Sequence, residues 1–429
     1  MNLVFFAIVL ASFAFAGYSQ FFGGPFTPET LPMQVMTKAM ADSAAGAVTL
    51  AIGLVGTMAL FLGLMKVAEE GGLLSIIARL IRPLMVRLFP DVPVDSPAMG
   101  AMVLNISANA LGLGNAATPF GIRAMEELDR LNPEKGTATN AMALFLTINT
   151  AGITLLPTTV IALRASAGSA NPAGILGTTL FASGCATLVA IAAAKIFQRF
   201  SPAPAFQMET ARDNDRPSGR DTDLMTADAG YPLWVSALAL VFLASLIPLA
   251  VIWGRTLSPF VLPSMMLGFL TFGLVRGVRI YETFVEGARE GFQVAVRIIP
   301  YLVAILVAVG MFQASGAMTV TVSALGKWTA LIGLPADALP MALMRPLSGS
   351  GSYGILAATL ANPAIGPDSY TGYLVSTLMG SSETTFYVMA VYFGAVQVRR
   401  VRHTLLAALT ADAAGILFSI LACRFFLMG

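Results

Sequence analysis

Apolar residues run uninterrupted through stretch after stretch of this chain, and polar residues collect in the gaps between them. The runs at residues 2 to 18, 44 to 65, 139 to 162, 174 to 196, 232 to 253, 260 to 275, 298 to 314, 374 to 396 and 403 to 423 lie near the roughly 20 residues that carry a helix across the hydrocarbon core of a bilayer. They are rich in Ala, Leu, Gly and Val and lack the alternation of barrel strands, so each predicts a membrane-spanning helix. Residues 97 to 121 and 339 to 363 are too polar or too broken for simple spans. They predict re-entrant hairpins or interrupted helices, which are tolerated at membrane depth only where protein or a wet cavity surrounds them. Residues 197 to 231 break the pattern with Pro202, Pro204, Pro217, Gly219 and a run of Asp and Arg from Arg212 to Asp223, as a polar linker between two halves would.

Composition excludes a soluble domain carrying one anchor. The chain is 56% hydrophobic and 11% charged, with a mean hydropathy of +0.78, where soluble domains carry roughly a quarter charged residues. Its formal net charge of +2 gives no sign of nucleic acid. Cys185 and Cys423 lie in apolar runs and form no metal-ligand spacing with His403, the sole histidine, so neither a disulfide framework nor a zinc site is expected, and no cofactor is implied. Residues 1 to 19 carry the Ala-Phe-Ala-Gly of positions 14 to 17 but lack a basic start, and predict an uncleaved first helix rather than a signal peptide.

Charge then orients the spans, because cytoplasmic segments accumulate Lys and Arg. Segments 66 to 92, 122 to 138, 195 to 231, 276 to 297 and 397 to 403 hold 19 of the 25 Lys and Arg, whereas 19 to 36, 165 to 173 and 254 to 259 hold only Arg255. With the first group cytoplasmic, an internal repeat emerges. Each half contains a span, a glycine-bearing break (Gly71 and Gly72; Gly316), an amphipathic helix, a Pro-led broken hairpin, a polar-centred span and a final span. Pro97 to Gly112 parallels Pro340 to Ile355, and Asn149 to Thr154 parallels Gly380 to Thr385. The first amphipathic helix carries Arg79, Arg82 and Arg87 and its counterpart only Lys327, which sets the two on opposite faces of the membrane. The predicted fold is therefore all-α: a polytopic membrane protein with two inverted-topology repeats, each holding a broken or re-entrant helical hairpin, divided as residues 1–200, a cytoplasmic linker 201–230, and residues 231–429.

Four stretches place hydrogen-bonding side chains where lipid should be: Asn105, Ser107 and Asn109; Asn149 and Thr150, with Thr154; Ser348, Ser350 and Ser352; and Ser381, Ser382, Glu383, Thr384 and Thr385. Two come from each half, as a pseudo-symmetric solute site requires. Arg345 and Glu383 are charged as well, and an ionised group at this depth is costly unless paired or wet, so the pair is expected to face one cavity. Such a cavity suits a zwitterionic or anionic solute, or a coupling proton or cation on Glu383. The plainer reading is that Ser, Thr and Asn hold helices together; Asp412 and Asp42 are read that way, as packing or helix-end groups.

These residues resemble a known family. Phe89 to Leu128, FPDVPVDSPAMGAMVLNISANALGLGNAATPFGIRAMEEL, is similar to spore maturation protein A, while RPLSGSGSYG at 345 to 354 and GSSETTFYVMAVYFG at 380 to 394 are similar to spore maturation protein B. The resemblance covers about residues 1 to 200 and 230 to 429, as in a natural fusion of the pair. It implies a nucleoside recognition or Gate domain in each half, of the kind also described in concentrative nucleoside transporters and ferrous iron permeases. It also implies an inner-membrane location, a link to nucleosides or other small polar solutes, and an association with spore-core maturation. By motif, Asn105, Asn109, Asn115 and Thr118 match the first pattern, and Arg345, Ser348, Ser350, Ser381, Glu383, Thr384 and Thr385 the second. The fusion, its linker and Ser352-Tyr353 depart from it.

The leading expectation is a secondary transporter of a small polar or anionic solute, nucleoside-like solutes included, working by alternating access and driven by a proton or sodium gradient, since no Walker sequence is present. A non-transporting component of envelope or spore maturation is the second reading and a lipid-handling membrane protein the third. Without a constellation of His, Cys or paired carboxylates at catalytic spacing, the chain is read as not an enzyme. Membrane lipid is an expected partner, and a homo-oligomer is left open.

Overall fold

The computed structural model describes residues 2–23, 31–201 and 230–428; most of the linker at 201–230 lies outside them. Helices dominate, and among the described residues strand pairing is confined to one isolated bridge between Thr137 and Arg400. The first half runs α1 (Asn2–Phe22), α2 (Pro32–Glu70), α3 (Leu73–Leu88), α4 (Pro97–Ala110), α5 (Gly114–Arg130), α6 (Asn140–Ala151), α7 (Thr158–Ser166) and α8 (Ile175–Phe197). The second runs α9 (Leu233–Val275), α10 (Ile280–Ala314), α11 (Ala317–Leu331), α12 (Leu339–Met344), α13 (Gly349–Ala361), α14 (Tyr370–Gly380), α15 (Thr385–Ala395) and α16 (Thr404–Met428). Four helical stretches among the described residues, 5–22, 32–70, 172–200 and 404–427, are long and apolar enough to cross a membrane by length and composition.

The order of elements from α2 to α8 recurs from α10 to α16. Gly72, at φ 86°, turns the chain between α2 and α3, and Gly316, at φ 82°, does so between α10 and α11. Both predicted hairpins form, as α4 with α5 and as α12 with α13, the first opened by Ser96, whose hydroxyl caps the N–H of Met99. The corresponding long helices pack against each other in antiparallel fashion. Gly63 of α2 meets Phe284 of α10, Ala59 meets Gly291 and Ser43 meets Gly310. At the other end of the series Phe181 of α8 meets Phe418 of α16, and Ala186 meets Gly415.

Four predicted spans take a different form. The runs at 139 to 162 and 374 to 396 are each two half-helices, α6 with α7 and α14 with α15, interrupted at residues 152–157 and 381–384. Apolar composition continues across both breaks, so hydropathy alone draws one span through them. The runs at 232 to 253 and 260 to 275 belong to one helical stretch, α9, of 43 residues. Drawn straight it would part its ends by about 65 Å. Yet Ser236 bonds Leu80 O and Arg276 bonds Gly71 O, positions nine residues apart, which an extended chain separates by at most about 32 Å. The stretch therefore folds back on itself, and the two predicted spans survive as its two arms.

The apolar core exchanges parts between halves. Val388, Tyr392 and Phe393 of α15 sit in the cluster built mainly by α3 to α6. Val160, Ile161 and Leu163 of α7 sit in the cluster built mainly by α12 to α14, to which α2 also contributes Ala47, Met58 and Phe61. Each distal half-helix thus completes the core of the opposite repeat.

Candidate functional site

Both helix breaks are held by the hairpin tip of their own half. In the first half Leu155 N–H donates to Ala110 O at 2.8 Å, and Gly112, at φ 75°, lies so close to Leu156 that a Cβ would meet its carbonyl oxygen at 2.4 Å. In the second half Phe386 N–H donates to Pro346 O at 3.0 Å. Arg345 donates to Ser382 O and, at 3.2 Å, to Thr384 Oγ1. The breaks then touch: Glu383 N–H donates to Thr150 O at 2.8 Å, and the Glu383 side chain lies against Gly152. Backbone freed by two interrupted helices is thereby satisfied at one crossing.

Beside the crossing lies a cavity of about 490 Å³. Asn109 and Gly112 from the first hairpin tip, Thr154 and Leu156 to Val160 around the first break, Arg345 and Gly349 from the second tip, and Gly380, Ser382 and Glu383 from the second break all line it. The C-terminal turns of α2, with Lys66 and Glu69, and Glu290 of α10 complete the wall. Arg345 and Glu383 do face one cavity, with Nη2 of the arginine 3.8 Å from Oε2 of the carboxylate. Arg345 is buried, whereas the Glu383 side chain is 48% exposed.

Of the polar residues singled out in the sequence, Asn109, Arg345, Ser382 and Glu383 reach the cavity, as does Thr154. Asn149 stands one layer behind, accepting from Asn109 Nδ2 at 2.8 Å while its own amide donates to Phe145 O. Asn105 is fully buried and donates to Ala117 O at 2.7 Å and to Tyr392 Oη at 3.0 Å. Several hydroxyls serve the backbone: Ser107 bonds Val103 O, Thr150 bonds Thr147 O and Ser352 bonds Ser348 O. Ser348 caps α13 through Gly351 N–H and lies 3.4 Å from the Ser350 hydroxyl. Ser381 pairs with Ser419, Thr384 receives Arg345, and Thr385 donates to Asp412 at 2.7 Å. The side chain of Asn115 lies outside the described residues.

Sequence reading missed three contributors. Tyr392 joins Asn105 to Asn149, its hydroxyl 3.5 Å from Asn149 Oδ1, but inside an apolar run it reads as ordinary core. Asp412, read as packing, forms part of the charged network, with Thr385 bonded to it and Arg345 within electrostatic reach. Arg164 is fully buried at the end of α7. It is bonded to Pro367 O at 2.6 Å, to Pro172 O and Asn171 O, to the Ser169 and Ser376 hydroxyls, and to Asp368 at 3.1 Å, with Tyr373 beneath its guanidinium. Its signal was available, since an arginine closing a predicted span calls for a partner. At the opposite end of the fold Arg402 bridges the halves the other way, donating to Ala138 O at 2.9 Å and to Asn140 Oδ1 at 3.1 Å.

Comparison with known proteins agrees with the motifs. The Gate family, described as nucleoside recognition, matches residues 51–167. Spore maturation protein A of Bacillus subtilis (strain 168) is 45% identical over 168 residues, 39% of this chain and 84% of that protein. Spore maturation protein B of the same organism is 42% identical over 165 residues, 38% of this chain and 92% of that protein. Among solved structures, CNTnw in an inward-facing substrate-bound state aligns over 99% of this chain and 91% of its own at 12% identity, with a TM-score of 0.36. A CNTnw variant in an outward-facing state aligns over 99% and 92% at 11% identity, with a TM-score of 0.39. With most of both curated relatives covered at such identity, this multi-pass membrane chain belongs to the spore maturation protein family and is related to its A and B members alike.

Proposed function

We propose that the protein is a secondary transporter that carries a small polar solute across the bacterial inner membrane. The observation that carries this reading is the cavity at the crossing of two interrupted helices, lined by polar groups from both halves. Broken helices around a central site, in corresponding elements that pack antiparallel, are the arrangement by which inverted repeats expose one site to either side in turn. On this reading residues 1–200 and 231–429 are the two repeats, joined through 201–230. Asn109, Thr154, Ser382 and Glu383 meet the solute, and Asn149 and Arg345 hold those groups in place. The Gate match brings nucleosides into the set of candidate solutes, and a proton or sodium gradient is the driving force.

The test is uptake into proteoliposomes of labelled nucleosides, amino acids and polyamines under an imposed proton or sodium gradient. Saturable, gradient-driven accumulation that falls at least tenfold in Asn109→Ala, with the variant still folded, supports transport. Absence of accumulation for every solute under both gradients overturns it. The names of both curated relatives support a second reading, a membrane component of spore maturation that moves no solute. On that reading Asn109→Ala is silent, while variants that part the packed helices are not.

A further inference from the structure

We infer that the solute of this cavity is an organic cation, or a zwitterion that presents its positive group to Glu383. The inference rests on the cavity being a solute site and concerns the charge it selects. Five ionisable groups line the space: two cations, Lys66 and Arg345, and three carboxylates, Glu69, Glu290 and Glu383. Neither cation is free to receive an anion. Arg345 is buried, its two Nη groups donate to Thr384 and Ser382 O, its Nε is sealed from the cavity, and it lies within reach of both Glu383 and Asp412. Lys66 lies 3.9 Å from Glu69 and 3.7 Å from Glu70, and also feels Glu286 and Glu290. Six carboxylates therefore surround two cations.

Glu383 is the complement. Its carboxylate is half exposed to the cavity and, among the described residues, is held by the 3.8 Å pair with Arg345 alone, so an entering ammonium or guanidinium gains a charge-assisted bond at small cost in existing contacts. The helix starts facing the same space, which in general draw anions, are largely occupied: Ser348 caps Gly351 N–H, and Phe386 N–H is held by Pro346 O. A metal ion is the poorer match. About 490 Å³ suits an organic molecule, and among the described residues no His, Cys, Asp and Glu group is arranged to hold a metal.

The test is thermal unfolding of the purified full-length protein with agmatine, choline, glycine betaine, adenosine and succinate, in the wild type and in Glu383→Gln, Glu383→Asp and Asn109→Ala. A ligand of the folded state raises its melting temperature by mass action. The expected result is stabilisation by at least one positively charged compound, lost in Glu383→Gln and kept in part in Glu383→Asp, each variant melting cooperatively without ligand. Stabilisation by succinate, or by adenosine equally in wild type and Glu383→Gln, overturns the charge assignment while leaving the site in place, provided Asn109→Ala abolishes it. A shift that survives all three substitutions places the ligand elsewhere and overturns the site reading itself. Failure of agmatine, choline and glycine betaine alike to stabilise the wild type overturns the inference.

Discussion

At the scale of single residues, the site is a chain of amides and hydroxyls, most of them hydrogen-bonded at the crossing, with Asn105 Oδ1 and Arg345 Nε buried without a partner among the described residues. Asn105, Asn109 and Asn149 are linked through Tyr392 and through one another. Tyr392→Phe removes one acceptor from Asn105 and leaves it Ala117 O, so the expected loss is about 1 kcal/mol of stability, read by denaturant or thermal unfolding. The asparagines were legible because an amide in an apolar run must find a hydrogen-bond partner, in a helix seam or at a site. Tyr392 was not, because one phenol among aromatic neighbours carries no signal until its partner's position is known. His403, just before α16, supplies a pH dependence. It is buried beside Arg402, and desolvation together with that neighbouring charge lowers its imidazole to about 4 from the usual 6.5. The folded state holds this histidine neutral, and the unfolded chain takes up its proton first. Its contribution is therefore complete above about pH 6.5 and is lost as pH falls through the window down to about 4. Melting temperature followed across that window should fall more steeply in the wild type than in His403→Asn; identical slopes would deny the histidine this role.

At the scale of elements, the fold depends on close backbone approach in one place and on two bridging arginines, one buried and one half-buried. Gly287 and Gly291 of α10 stand four apart and face α2, where a Cβ on Gly291 would meet Ala59 N and Met58 O at 2.7 Å and one on Gly287 would meet Leu62 O at 2.5 Å. This is the small-residue spacing by which membrane helices approach without a hydrophobic drive. Gly291→Leu must part the two helices and is expected to cost about 1–3 kcal/mol or to abolish folding, whereas Gly268→Leu, with open space at its Cβ, should be near neutral in the same assay. Arg164 ties α7 to the loop before α14, and Arg402 ties the loop before α16 to the start of α6. Arg164→Met should destabilise by about 3 kcal/mol, the low end for removing one partner of a buried pair, because Asp368 is 41% exposed and water can reclaim it. The hairpins and repeat order were readable from Pro, Gly and polar spacing. The helix breaks were not, since hydropathy averages over the few residues at which Gly152, Pro157 or the Ser381–Thr384 stretch leaves the helix, and what ends each helix is a bond to a hairpin distant in sequence.

At the scale of the whole molecule, the two halves cannot be understood apart, because each lends a half-helix to the other's core and the candidate site exists only where their breaks cross. Charge asymmetry orients this assembly, and the orientation makes a claim about access. The cavity extends from the crossing to Lys66 and Glu69 in the last turns of α2 and to Glu290 of α10, segments rich in the Lys and Arg that mark the cytoplasmic side. At the opposite face Arg164, Asp368 and the residues packed around them close the way. On the orientation read from charge, the conformation described is open inward. Thr159 lines the cavity and is exposed, so Thr159→Cys, in a chain whose Cys185 and Cys423 are replaced by alanine, should react with a membrane-impermeant thiol reagent in inside-out vesicles and be protected in right-side-out ones. Labelling confined to right-side-out vesicles would reverse the orientation read from charge. Equal labelling from both sides would mean that the closure at Arg164 opens readily in the membrane. In that case Arg164→Met should leave labelling from outside unchanged; if the closure is instead the barrier, the same substitution should raise it.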